Sequence, residues 1–265
     1  QWIDVIKQAG GKLLVLVVKH HEGFCLYPSR YTTHDVASSP WLGGNGDLVK
    51  QVADACAEAG IKLGLYLSPA DLYQIESPFS YANGSGYYGN GSAPQTSAIP
   101  TDPATFGNAP TQTRELVEGA PIFTYDVDDY NRYFLNQLYE LLTEYGEIAE
   151  VWFDGANPKP GTGQTYDYDA WFDMIYTLQP QTCIFGGPDV RWVGNEAGYA
   201  RENEWSVVPK PYSTPEQTDL GSRAQITAGK TLEWFPAEAD TKVLSGWFWN
   251  SSHAVKTVGQ IIDIY

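Results

Sequence analysis

With 265 residues and 43% hydrophobic content, the chain is long enough for one large core, and it suits a single α/β barrel as well as two small domains. Its 32 acidic against 16 basic residues give a net charge of −16, which argues against nucleic acid or anionic lipid as the main partner, because phosphate contacts need clustered Lys and Arg. No apolar run approaches the ~18 residues of a membrane span, so the acidity reads as a solvated surface and no membrane partner is expected.

The opening residues, Gln1 to Ile6, have the look of a helix interior. Leu13 to Val18 is a continuous apolar run, the pattern of a strand buried on both faces of a parallel sheet. Residues 47–59 carry helical spacing, with Leu48, Val52, Ala55, Cys56 and Ala59 on one side, Asp47 as N-cap and Gly60 as stop. Ile61 to Leu67 is the next strand. Residues 70–125 are dense in Gly, Pro, Ser and Tyr with no clear period, and a loop this long is usually functional or mobile. Asp126 to Tyr145 reads as a helix burying Tyr130, Phe134, Leu138, Leu141, Leu142 and Tyr145, and Gly146 stops it. The strand Ile148 to Phe153 follows. A helix over 168–178 leads to a strand over 182–185, to short strands near 204–208 and 232–235, and to a last helix over 255–265. Repeated strand–helix alternation points to a (β/α)8-type barrel. Only about six strands are countable and both chain ends fall inside helices, so the expected domain, residues 1–265, is a partial barrel with one strand missing at each end.

Aromatics are the compositional anomaly. Nine Trp, eighteen Tyr and ten Phe make 14% of the chain. Flat rings suit the C–H faces of sugars, and they also fill cores. Cys56 and Cys183 read as small core residues, and the odd count of three leaves at least one free thiol. Sequons at Asn83, Asn90 and Asn250 lean toward a secreted glycoprotein.

Three stretches carry chemistry. The run Glu150 to Gly155 ends an aromatic strand in Asp154, where barrel chemistry sits, although an Asp-Gly turn cap is the plainer reading. His20 and His21 end the first visible strand. Neighbours on a strand point to opposite faces unless a bulge turns both one way. They read as neutral imidazoles for sugar hydroxyls, as core histidines, or with Asp154 as metal ligands. The Gly-rich loop 186–198 offers Arg191, Trp192 and Glu196. Glu196 is the best partner for Asp154 as a glycosidase pair, with Glu202, Glu204 and Glu238 as rivals.

These residues resemble glycoside hydrolase family 29, the α-L-fucosidases. The matching segments are Lys19 to Ser29, Ser39 to Trp41, Gly64 to Pro69, Val151 to Gly155 and Trp234 to Glu238, in the family's order along nearly the whole chain. The resemblance implies a retaining exo-enzyme with Asp154 as nucleophile. In the branch carrying a stretch like Pro188 to Gly198, it implies Glu196 as acid/base. It also implies a fucose pocket of His20, His21, Tyr66, Trp152 and Arg191, with Trp247 or Trp249 walling the sugar's methyl group. Trp192 and Asn195 are candidates for a second sugar, since that branch is similar to enzymes preferring α-1,3/4-linked fucose on branched glycans. The expected partner is a fucosylated glycan, with no metal and no organic cofactor; the oligomeric state stays open. The family's first-strand His and Glu-Trp pair, its last strand and its C-terminal β-sandwich have no match in these residues, and residues 70–125 have no counterpart. A non-catalytic sugar-binding relative, a fucosidase preferring α-1,2 linkages and a metal-dependent hydrolase using His20, His21 and Asp154 are the alternatives.

Overall fold

A computed structural model describes residues 1–75, 92–106, 117–154, 164–193, 205–209, 226, 228–239 and 241–264. Glu196, Asn195, Glu202, Glu204 and the sequons at Asn83 and Asn90 lie outside the described residues. The chain divides into two compact units, Gln1–Thr182 and Cys183–Tyr265.

The first unit runs α1 (Trp2–Gln8), β1 (Leu13–Lys19), α2 (Leu48–Ala59), β2 (Lys62–Leu67), β3 (Gln95–Ile99), β4 (Phe123–Val127), α3 (Asp129–Glu144), β5 (Ile148–Trp152) and α4 (Tyr168–Leu178). The apolar runs make β1, β2 and β5 parallel neighbours in that order, with Val17 opposite Tyr66 and Tyr66 opposite Trp152. One sheet face is covered by helices: Phe153 meets Phe134 of α3 at 5.8 Å and Trp171 of α4 at 5.6 Å between ring centroids. Phe134 and Trp171 are themselves 4.1 Å apart, and both are fully buried. That is the α/β arrangement expected from alternating strand and helix patterns.

Helix ends follow the sequence signals. Asp47 Oδ1 accepts from the Lys50 amide at 2.8 Å, and Gly60 closes α2 in the left-handed region at φ 69°, where a Cβ would be strained. The buried face of α2 is Val49, Val52, Ala53 and Cys56, so it is turned from the expected one; Leu48, Ala55 and Ala59 are only partly covered. α3 starts at Asp129 behind the N-cap Asp128 rather than at 126, because residues 123–127 are already committed to β4. β4 pairs antiparallel with β3, Gln95 against Val127 and Ile99 against Phe123, so the 70–125 region holds a hairpin that showed no period. No helix of the described residues is long and apolar enough to cross a membrane.

The second unit contains β6 (Cys183–Phe185), β7 (Arg191–Val193), β8 (Val207–Pro209), β9 (Leu232–Trp234), β10 (Ala237–Ala239) and α5 (Val258–Ile262). β7 pairs in parallel with β10, and β8 antiparallel with β9. Thr257 and Gln260 form a capping box on α5. Cys183 is exposed, against its expected place in a core; Cys25 and Cys56 are buried, and all three thiols are free.

Candidate active site

The period of β5 sets the first carboxylate. Alternation sends Val151 and Phe153 toward the helices, both buried, and Glu150, Trp152 and Asp154 to the other face. Register then aligns the rings. Trp152 and Tyr66 are partners across β5 and β2, and their rings stack with centroids 4.9 Å apart and 14° between planes. The Tyr66 hydroxyl donates to Asp154 Oδ2. The His20 ring stacks on Tyr66 from the other side, 5.7 Å away and 6° from parallel. Three adjacent strand ends thus present a row of rings, His20–Tyr66–Trp152, beside one carboxylate.

A bulge turns His20 there, and the chain leaving β1 brings His21 beside it. Between Val17 and Lys19 the β1–β2 register slips, and the slip reverses the in–out phase. Lys19 turns to the helix side, where its Nζ donates to Asp71 Oδ2 at 3.0 Å and Gln137 Oε1 at 2.9 Å. His20 turns to the ring row. His21, just past the strand, brings Nε2 to 3.7 Å from Asp154 Oδ2, and its ring lies 4.2 Å from that of His20. Gly23 closes the following turn at φ 81°, and a Cβ there would overlap the Asp71 carboxylate.

Both rings are backed by polar partners. His20 Nδ1 lies 3.2 Å from Glu22 Oε2. An ionised carboxylate only accepts, so Nδ1 donates. The bond from His20 holds the Glu22 carboxyl below its ordinary pKa. His21 Nδ1 lies 2.6 Å from Ser68 Oγ, which in turn reaches the carbonyl oxygens of Ala70 and Asp154. Burial, then the neighbouring charge of His20, pushes the His21 pKa below 6.5. Two imidazoles beside an aromatic row and a carboxylate suit a polyhydroxylated ring: nitrogens for hydroxyls, rings for C–H faces and a carboxylate for an electrophilic carbon. The same side chains offer a cation three ligand atoms within 4.8 Å of one another, from His20, His21 and Asp154.

The described residues of the first unit therefore bring together His20, His21, Tyr66, Trp152 and Asp154. Arg191, Trp192, Trp247 and Trp249 belong to the second unit. There Arg191 is buried, donating through Nη2 to the Trp205 carbonyl and through its amide to Pro236. Trp192 is half-buried, Trp247 sits under the Lys242 ammonium at 4.7 Å, and Trp249 is exposed. Glu238, the described rival acid, is a partly exposed residue of β10. Sequence reasoning passed over Ser68; its signal was a hydroxyl two residues beyond Tyr66, on the same strand face.

A family model described as alpha-L-fucosidase matches residues 1–264. The chain is 38% identical over 267 residues to α-L-fucosidase 1 of Arabidopsis thaliana, covering 100% of this chain and 43% of that protein. It resembles the crystal structure of a glycoside hydrolase 29 family member from an unknown rumen bacterium, at 33% identity and a TM-score of 0.69, over 100% of this chain and 41% of that one. It is also similar to a Ruminococcus gnavus GH29 fucosidase solved with fucose, at 27% identity and a TM-score of 0.69, over 100% of this chain and 49% of that one. The chain thus spans less than half the length of these relatives. A match along all but the last residue, with the strand-end carboxylate, the histidine pair and the ring row in place, means that the chain belongs to the α-L-fucosidase family, glycoside hydrolase family 29.

Proposed function

We propose that the protein is a retaining, exo-acting α-L-fucosidase that removes terminal α-linked fucose from glycans. The observation that carries this reading is Asp154 at the end of β5, held by the Tyr66 hydroxyl with His21 beside it. An Asp154 oxygen attacks the anomeric carbon as the glycosidic C–O bond breaks, and Glu196 gives its proton to the leaving oxygen. Water then attacks the fucosyl-enzyme, Glu196 takes its proton, and Asp154 leaves with the sugar's configuration retained. His20, His21, Tyr66 and Trp152 hold the fucose, joined by Arg191 and by Trp247 or Trp249. The parallel strands β1, β2 and β5, with the site at their C-terminal ends, suit a (β/α)8 barrel, which is the fold this reading assigns to the whole domain. Secretion belongs to the same proposal and is supported by the exposed sequon asparagine Asn250.

The test is turnover of an aryl α-L-fucoside by the full-length protein. Asp154→Ala should lose several orders of magnitude in kcat with its fold intact, and azide should restore turnover and give the β-fucosyl azide. A stable protein without turnover is a sugar-binding relative, and near-normal activity in Asp154→Ala ends the nucleophile assignment.

The likeness of Pro188 to Gly198 to the branch-selective subgroup supports a preference for α-1,3/4-linked fucose. The fucose clamp meets groups common to every linkage, so discrimination has to come from outside it, and Trp192 and Asn195 are suited to a second sugar. Two or three hydrogen bonds of about 0.5–1.5 kcal/mol each give roughly a 10- to 1000-fold preference. Lewis-type trisaccharides should therefore exceed 2′-fucosyllactose in kcat/KM. Equal or better turnover of the α-1,2-linked sugar removes the subgroup and leaves the fucosidase. The cluster of His20, His21 and Asp154 favours a second reading, a metal-assisted hydrolase. Its signature is activity lost in chelator and restored by a divalent cation.

A further inference from the structure

The hydrogen count at one buried hydroxyl decides how His21 is held. Ser68 is fully buried. Its Oγ lies 2.6 Å from His21 Nδ1, 2.8 Å from the Ala70 carbonyl oxygen and 3.2 Å from the Asp154 carbonyl oxygen. A serine hydroxyl has one hydrogen to give and lone pairs with which to accept. Both carbonyls can only accept. If the hydroxyl hydrogen went to Nδ1, both carbonyls would face a buried oxygen with nothing between them, a costly arrangement. One arrangement serves every contact: His21 Nδ1–H donates to Ser68 Oγ, and Ser68 Oγ–H donates to the Ala70 carbonyl, with the Asp154 carbonyl sharing that hydrogen at the longer distance. A neutral ring with its hydrogen on Nδ1 carries its lone pair on Nε2. Nε2 is the atom 3.7 Å from Asp154 Oδ2, too long for an N–H···O bond and consistent with a lone pair there.

We infer that Ser68 is a positioning residue, which takes the Nδ1 hydrogen of His21 and so presents the Nε2 lone pair to a hydroxyl of the bound sugar beside Asp154. The identity of that sugar rests on the fucosidase reading; the ring's orientation does not. Ser68 touches neither sugar nor reacting atoms and acts through His21. Its bonds also fasten together the ends of β1, β2 and β5, from which His21, Ser68 and Asp154 emerge. Such backing bonds fix imidazole orientation at metal sites as well, where their loss costs about 10- to 100-fold.

The experiment uses the full-length protein labelled with 15N-histidine, with His21 assigned through the signal lost in His21→Gln. Imidazole nitrogen shifts report the tautomer directly. Wild type should show the Nδ1–H form. Ser68→Ala should show the Nε2–H form or a mixture, with kcat/KM on an aryl α-L-fucoside lowered about 10- to 100-fold. Ser68→Thr, which keeps the hydroxyl, should restore both the tautomer and most of the activity. An Nε2–H ring in wild type overturns the inference, and that measurement needs no variant to fold. A Ser68→Ala protein with unchanged tautomer and activity within about twofold also overturns it. An Nδ1–H ring in a protein that turns over no fucoside sinks the fucosidase reading and leaves the role of Ser68 standing.

Discussion

The protonation of His21 decides what the Asp154 carboxylate beside it can do. Neutral, the ring offers a lone pair to a hydroxyl and leaves the carboxylate its charge. Protonated, Nε2 becomes a donor 3.7 Å from Asp154 Oδ2, and a small rotation would pair the two and blunt a nucleophile. The pKa of His21 is lowered by burial first and by His20 second, and Lys19 lowers it further; Asp154 and Glu22 act the other way. The net shift is downward from 6.5, so the neutral form persists below that pH, and the acid limb of kcat/KM due to His21 should lie below 6.5. In His20→Gln the neighbouring charge that lowers the His21 pKa is gone, so the limb should move toward higher pH. A pH profile on an aryl fucoside reads this, and a limb that stays put or moves down contradicts the assignment. The sequence left the facing of the pair open because strand alternation separates neighbours. The bulge that turns His20 inward falls in Val17-Val18-Lys19, which has no Gly or Pro to mark it.

Elements were legible where a single chemical signal dominated. The caps of α2, Asp47 and Gly60, follow from side-chain oxygen geometry and the left-handed freedom of glycine, both local properties. α4 occupies the expected 168–178, behind the N-cap Asp167. The apolar runs that became β1, β2 and β5 were equally plain, although β1 is not buried on both faces as its run suggested: Val17 is 41% exposed. What failed was set by partners distant in sequence. β3 carries Gln95, Thr96 and Ser97, and its pairing with β4 across the intervening residues supplies what its own composition does not. β7 and β10 are three-residue strands, too short for any period. On α2, Val49 and Ala53 are buried in place of Leu48 and Ala55, a rotation of the helix that its apolar residues alone do not fix. Within the site, Asp154, His20, His21, Tyr66 and Trp152 could be nominated from strand ends and family resemblance. Ser68 carried only its spacing, a hydroxyl two residues beyond Tyr66, because its role exists only where three strand ends meet.

At the scale of the molecule, the first unit spends buried charge on holding its functional loop. α3 packs rings toward β5 and α4 on one side, and on the other buries Gln137 and Glu140 against the chain that follows β1. Glu140 is fully enclosed and accepts from Ser29 Oγ at 2.9 Å, the Arg30 amide at 2.8 Å and Arg30 Nη1 at 3.1 Å. Arg30 also donates to Glu144, and Ser29 donates its amide to Asp35 at 2.9 Å. Together with Lys19–Asp71, these bonds clamp both flanks of the segment that starts at His20. A buried pair is weak evidence of stability in itself, but removing one partner leaves the other charge stranded, at about 3–5 kcal/mol. In Glu140→Ala the Glu144 carboxylate still faces Arg30, so the lower end, about 3 kcal/mol, is expected. For a domain of this size that is roughly a 6–12 °C fall in Tm. Glu140→Gln keeps one acceptor oxygen for the Arg30 amide and guanidinium and turns an NH2 toward Ser29 Oγ, which can accept from it, so it should fall by less. Thermal melting of the full-length protein and both variants reads the difference. A Glu140→Ala melt within a degree or so of wild type would mean that the loop is held by packing alone and that the enclosed charges contribute nothing net.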